Sequence, residues 1–260
     1  MLYLGTSGFS FEDWIGKVYP ENIKPSQMLR YYWAVWKFNA VELNFTYYTL
    51  PTTRSIVSML RKTPMNFYFV VKLPGKITHE AWKNGEIDEC VSNFLKAIQP
   101  MRDEGRLKML LAQFPYSFKF SRKNVEYIDK VREYFKDMDL AVEYRHRSWL
   151  REEVFEFMRE RDITYVTVDE PSIGELFPYY PYHTTTKAYY RFHGRNKQWF
   201  EAEGGERYDY LYNEEELKKF AEDVKKSIKE VDEVFVFFNN CHRGSAVINA
   251  LDFSKILKEG

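Results

Sequence analysis

The stretch LAVEYRHRSW, residues 140–149, decides how the rest of the chain is read. Leu140, Val142 and Tyr144 alternate with Ala141, Glu143 and Arg145, which is the period-two pattern of a strand. The face that starts with Ala141 is small and apolar and ends in a carboxylate and a guanidinium. His146, Arg147 and Trp149 follow where the strand should stop. A buried strand that turns ionic at its C-terminal end is what a barrel or a doubly wound sheet builds at its ligand-binding rim.

The same pattern recurs on both sides. Further strands are expected at 2–8 (LYLGTSG), 38–44, 67–73 (FYFVVKL), 108–114, 164–170 (TYVTVDE), 188–194 (AYYRFHG) and 233–240 (EVFVFFNN). Helical spacing and caps predict helices over 27–37 behind Ser26, 52–62, 88–103, to 136 behind Ser121, 151–161, 214–229, and after Gly244. Residues around His79 and Trp82 read as a long loop. The Pro- and Tyr-rich stretch 171–186 looks irregular, so a helix is missing or abbreviated after the sixth strand. Residues 195–212, with Gly204 and Gly205, have the length of a lid or binding loop.

Eight strands alternating with helices, several of them near-continuous apolar runs, match parallel strands covered on both faces. Eight βα units in about 250 residues is the arithmetic of a TIM (β/α)8 barrel. A doubly wound open sheet is the alternative, but no GxGxxG follows the first strand, so its dinucleotide-binding form lacks its fingerprint. No linker or internal repeat is evident, and residues 1–260 read as one domain.

Composition narrows the function. Of 260 residues 45% are hydrophobic and 18% aromatic, with 20 Tyr, 21 Phe and 6 Trp, so a core is easily built and aromatic binding surfaces are available. Lys+Arg and Asp+Glu are both 38, which argues against a protein that coats nucleic acid while leaving room for a local basic groove. Two cysteines, Cys90 and Cys241, give no disulfide framework. No signal-peptide pattern and no apolar run of roughly 20 residues is seen, so a cytoplasmic protein without membrane contact is expected. The density of Lys and Glu leans towards a thermophilic source.

Applying period two to each strand end points eleven side chains into the mouth. The uncharged ones are Ser7, Asn44, Gln113 and Asn239; the ionisable ones are Glu42, Lys72, Glu143, Arg145, Asp169, Arg191 and His193. Every strand contributes, and chance would scatter such residues over both ends. The bland alternative is a structural network in which Glu42, Glu143 and Asp169 neutralise Lys72, Arg145 and Arg191.

Several chemistries suit this set. Arg191, His193 and Arg195 lie in one short run, and Asn239, Asn240 and Arg243 lead into the last helix, so a phosphate-bearing ligand is expected near the ends of strands 7 and 8. General acid–base work would fall to Glu143, Asp169 and His193. A divalent metal on Glu42, Glu143, Asp169 and His193, with His79, is a further expectation, although neither HxH nor HExxH occurs. Trp14, Tyr47, Trp82, Trp149 and Trp199 are candidates to stack on a base or sugar. Cys241 beside His242 is a poor nucleophile candidate, because adjacent residues point apart.

Six stretches resemble one known family: GTSGFSFEDWIGKVYP (5–20), VELNFTYYTLP (41–51), VEYRHRSW (142–149), YYRFHGRN (189–196), YDYLY (208–212) and FNNCHRGSAVINA (238–250). They are similar to the YecE-like family, domain of unknown function seventy-two, across almost the whole chain. The resemblance implies a TIM barrel and carries no catalytic assignment, since the family's activity is not established. Phe9 stands where the family usually has Trp.

Two readings follow. In one the chain is an enzyme acting on a phosphate ester, in its most concrete form a metal-dependent phosphodiester or nucleic-acid hydrolase, by analogy of fold alone. In the other it is a non-catalytic barrel that binds a small anion or a protein partner under its aromatic loops. A two-carboxylate glycosidase is disfavoured, because basic neighbours would hold both acids ionised.

Overall fold

The computed structural model describes residues 1–202 and 204–259. Residue 203, inside the expected 195–212 loop, lies outside them, as does residue 260. Eight parallel strands run β1 (Leu2–Thr6), β2 (Ala40–Leu43), β3 (Tyr68–Lys72), β4 (Leu107–Gln113), β5 (Leu140–Glu143), β6 (Ile163–Asp169), β7 (Lys187–Phe192) and β8 (Glu233–Phe238). Their order is β1-β8-β7-β6-β5-β4-β3-β2, with each step parallel. The helices between them are α1 (Pro25–Ala34), α2 (Thr53–Arg61), α3 (Ala81–Asn84), α4 (Asp88–Asp103), α5 (Arg122–Tyr134), α6 (Glu152–Glu160), α7 (Glu214–Glu230) and α8 (Ser245–Lys258). This is the expected (β/α)8 barrel. Among the described residues no helix follows β6 before β7, as the irregular 171–186 stretch suggested.

Two local readings are corrected. Helix α1 begins at Pro25 with Lys24 as its cap, not behind Ser26, because proline at the first helical position needs no amide partner. The expected loop around His79 is instead a π-helical turn, Lys76–Glu80, that runs directly into α3.

The barrel closes where β1 meets β2, and there side chains replace most of the ladder. One bridge, Ser7 to Glu42, joins the strands directly. Below it Leu4 donates its N–H to Asn39 Oδ1 at 2.9 Å, while Asn39 Nδ2 donates to the Leu2 carbonyl at 2.8 Å. The buried Tyr32 hydroxyl accepts from Thr6 N at 2.7 Å and donates to the Ala40 carbonyl at 3.1 Å. Backbone groups that would be orphaned at a sheet edge are thereby satisfied. Gly5 is required at this seam: a Cβ there would sit 2.1 Å from the Ala40 carbonyl oxygen.

Parallel register puts in-phase residues on one face, so the inner lining can be read across the sheet. Arg191 is in register with Val168 on β6 and with Phe237 on β8. The inner residues of β6 are therefore Val166 and Val168, and the next inward position is Glu170. Asp169, expected inside, lies on the outer face. The apolar core fills both faces: Tyr3, Val70, Leu111 and Phe235 inside, Phe192, Phe220 and Phe253 between sheet and helices. No helix among the described residues is long and apolar enough to cross a membrane.

Candidate functional site

At the C-terminal mouth the inner strand ends bring a layer of charge together. Arg191, 1% exposed, sits at its centre. Its Nε and Nη2 donate to the two oxygens of Glu42 at 2.9 and 2.6 Å, a bidentate pair. Its Nη1 donates to Glu143 Oε2 at 2.5 Å. Tyr189, one turn of the pleat below on β7, donates its hydroxyl to Glu42 as well. Arg145 bridges outward: its Nη1 donates to Glu170 Oε2 at 2.6 Å, and its Nε lies 2.6 Å from Glu143 Oε1, close enough to pair but not aligned as a hydrogen bond. Two guanidiniums and three carboxylates thus form one buried chain, Glu42–Arg191–Glu143–Arg145–Glu170.

These neighbours set the charge states. Burial works against an ionised Glu143, but Arg145 and Arg191 outweigh it and hold the carboxyl well below its ordinary range. Burial raises Glu170 to about 7 even with Arg145 beside it. Burial, reinforced by Arg145, lowers His193 to about 3, so its imidazole is neutral at physiological pH. Asn239 Nδ2 lies 2.8 Å from His193 Nδ1, which makes Nδ1 the acceptor and places the ring proton on Nε2, 3.4 Å from Glu143 Oε1.

Above this layer lies a two-lobed cleft. One lobe, of about 530 Å³, is floored by Ser7, Asn44, Arg191 and Asn239. The other, of about 520 Å³, is walled by His79, Gln113, Tyr116 and Trp199. Tyr47, Tyr48, Lys72, Arg145, Arg207 and Tyr208 line both. Lys72 Nζ donates to Gln113 Oε1 at 2.7 Å and stands 4.5 Å from the centre of the Tyr47 ring. Burial, with Arg191 close by, lowers its amine to about 7. The segment after β7 roofs the cleft: Trp199 packs over His193 and over Arg145, and Tyr208 stacks edgewise on Trp199.

The structure sorts the expected site residues into three groups. Ser7, Asn44, Lys72, Gln113, Arg145, Arg191 and Asn239 reach the cleft. Glu42, Glu143 and His193 lie in the fully buried layer beneath it. Four residues are elsewhere. Asp169, on the outer face of β6, accepts from Arg195 Nε and Nη2 at 2.9 and 2.7 Å and from the Tyr212 hydroxyl at 2.7 Å. Arg195 also binds Glu216 of α7 and does not join Arg191, because Gly194 at φ +91° swings the chain outward after His193. Trp149 is not a ligand platform: it is fully buried, stacked between Phe118 and Tyr144, with its Nε1 donating to the Phe118 carbonyl at 2.6 Å. Arg243 is exposed, and its backbone N–H is not free for a phosphate: it donates to Asp13 Oδ2 at 2.6 Å. Trp14 is likewise core, so of the aromatic candidates Tyr47 and Trp199 face the cleft.

Glu170 and Arg207 were missed. The alternation on β6 could not reveal Glu170, because a strand buried on both faces shows no polarity contrast to fix its phase. Arg207 lies in a 3-10 turn, Gly204–Tyr208, where period two says nothing.

The donor set does not fit a divalent ion. Both oxygens of Glu42 and of Glu143 face guanidinium groups, His193 Nδ1 is taken by Asn239, and Asp169 is on the other side of the strand. Among the described residues no three His, Cys, Asp or Glu side chains converge as a metal site.

Comparison with known proteins agrees with this architecture. The chain is 31% identical over 275 residues to the UPF0759 protein YunF of Bacillus subtilis strain 168, covering 99% of this chain and 95% of that protein. It superposes with a TM-score of 0.94 on a DUF72 family protein from Thermotoga maritima MSB8, 62% identical with 99% of each chain covered. Fold alone is shared with a D-psicose 3-epimerase from Clostridium cellulolyticum H10, 11% identical at TM-score 0.56 over 98% of each chain. The same holds for an AP endonuclease, family 2, from Brucella melitensis, 10% identical at 0.52 over 95% of this chain and 96% of that one. Residues 3–260 match the family described as "Protein of unknown function DUF72", and this chain is a member of it.

Proposed function

We propose that the barrel mouth binds a small phosphate-bearing ligand. One observation carries this reading: the cleft lining is cationic while the carboxylates lie beneath it. Among the described residues, Lys72, Arg145, Arg191 and Arg207 line the first lobe with Asp13 as the single acid, and none in the lining of the second lobe is acidic. Glu42 and Glu143 are 0% exposed. An anion entering the cleft meets guanidinium and ammonium groups directly, and the buried acids hold those groups in place rather than compete for them.

The size of the cleft favours a small molecule over a duplex. Tyr47, Tyr208 and Trp199 offer apolar walls to the rest of the ligand, as small-molecule sites do. A metal-dependent phosphodiester hydrolase is not the reading the side chains favour, because its carboxylates would first have to leave their arginines. The likeness to an AP endonuclease supports the scaffold and not the reaction.

Thermal denaturation with inorganic phosphate, glycerol phosphate, nucleotides and short DNA tests this. At a hundredfold excess over Kd a ligand stabilises by about 2.7 kcal/mol, a rise of about 5 °C or more for a domain of this size. The expected result is stabilisation by one or more small phosphates and loss of it in Arg207→Ala. Equal stabilisation of the variant, or a response to DNA alone, would overturn the assignment.

A further inference from the structure

We infer that Lys72 is a carbonyl-reactive amine, so that the ligand of the mouth is a phosphorylated aldehyde or ketone held as an imine. The inference rests on the anion-binding reading above and names the substrate class within it.

The argument is one of position and company. Lys72 ends β3 on the inner face, half-buried, and lines both lobes of the cleft. The two arginines that share the mouth each pair with two carboxylates: Arg191 with Glu42 and Glu143, Arg145 with Glu143 and Glu170. Lys72 forms no ion pair among the described residues. Among those residues the one hydrogen-bond partner of its Nζ is the neutral oxygen of Gln113. That oxygen is itself fixed, since Gln113 Nε2 donates to the Phe114 carbonyl at 2.7 Å. An ammonium given a carboxylate stays charged; one kept from water among guanidinium groups, with no carboxylate paired to it, sheds its proton readily, which is the setting of a nucleophilic lysine. The lowering of its amine to about 7 is in accord with this geometry. The adjoining π-helical turn, a feature frequent at functional sites, brings the His79 ring against Tyr47, 4.7 Å between centroids, on the same wall.

The step balances without a further reactant. The unprotonated Nζ attacks the carbonyl carbon to give a carbinolamine. The nitrogen loses both of its protons, the former carbonyl oxygen leaves with them as water, and a C=N bond remains. The ligand phosphate lies against Arg207 and the outward edge of Arg145.

The test uses the full chain with glyceraldehyde 3-phosphate, reduced with borohydride so that hydride converts any imine to a stable secondary amine, and read by peptide mass mapping. The expected result is one dominant reduction-dependent adduct, on Lys72, abolished in Lys72→Arg and Lys72→Met and suppressed by excess glycerol phosphate. Adducts spread over surface lysines with Lys72 unmodified overturn the inference. If glycerol phosphate still stabilises in that case, the anion-binding reading survives and the imine alone falls. An adduct on Lys72 that glycerol phosphate leaves untouched overturns the phosphate assignment instead.

Discussion

Two arginine–carboxylate clusters flank the same stretch of β6 and β7, and they differ in what lies around them. The inner one, Glu42–Arg191–Glu143–Arg145–Glu170, is sealed inside the barrel under the cleft. The outer one, Asp169–Arg195–Glu216 with Tyr212, sits between the sheet and α7, and its arginine side chain is 39% exposed. Both look alike in sequence: an acid and a base at a strand end. Only the inner one places its arginines in the floor of a cavity. The outer one ties down the segment after β7, since the Tyr212 hydroxyl also accepts from Gly194 N at 2.7 Å. A charged strand end therefore marks a site only when the face it occupies is known.

The largest expected effect comes from breaking the inner cluster. Arg191→Met leaves Glu42 and Glu143 buried with too few partners, and such a loss costs about 3–5 kcal/mol; denaturant unfolding should show it, with the midpoint falling sharply. Arg195→Met in the outer cluster should cost less, about 1–2 kcal/mol, because Asp169 keeps its Tyr212 bond and solvent reaches the site. If Arg195→Met proved the more damaging, the contrast between sealed and open clusters would be wrong. Tyr212→Phe should cost about 1 kcal/mol and raise proteolytic cleavage between residues 195 and 212, by freeing one end of that segment.

A pH trend tests the mouth itself. Lys72 has its amine lowered in the folded chain to about 7 from an ordinary 10.5. Burial and the nearby Arg191 and Arg145 lower it, while Glu143 and Glu42 oppose them. Below pH 7 the lysine is charged in both states, and the folded state bears the full cost of burying that charge. Between about 7 and 10.5 the unfolded chain holds the proton that the folded chain has released, so stability rises with pH across that window. The stability of wild type relative to Lys72→Met should therefore climb from pH 7 to 10. A flat difference would mean that Lys72 is not desolvated.

Much of the architecture is legible in the sequence. Strands with apolar runs and polar C-terminal ends gave the eight-fold order, and the Pro- and Tyr-rich 171–186 stretch betrayed the missing helix. Seven of the residues placed at the mouth do line the cleft, because β1 to β5, β7 and β8 each carry a polar or charged residue whose phase the neighbouring side chains settle. On β6 the residues Val166, Thr167 and Val168 are all buried, so nothing local chose between Asp169 and Glu170. Trp149 was misread for a related reason. A tryptophan beside charged residues looks wet, yet its ring closes the stack of Phe118 and Tyr144 under the loop after β5. The run Arg191, His193, Arg195 holds together only while the strand persists, and Gly194 ends it.

The measurement that bears most directly on the mouth as an anion site is calorimetric titration of glycerol phosphate into wild type and into Arg207→Ala, each at low and high salt. The account predicts saturable one-to-one binding to wild type that weakens with salt and is at least tenfold weaker, about 1.4 kcal/mol, in the variant. No heat of binding to wild type, or the same affinity in both proteins, would contradict it.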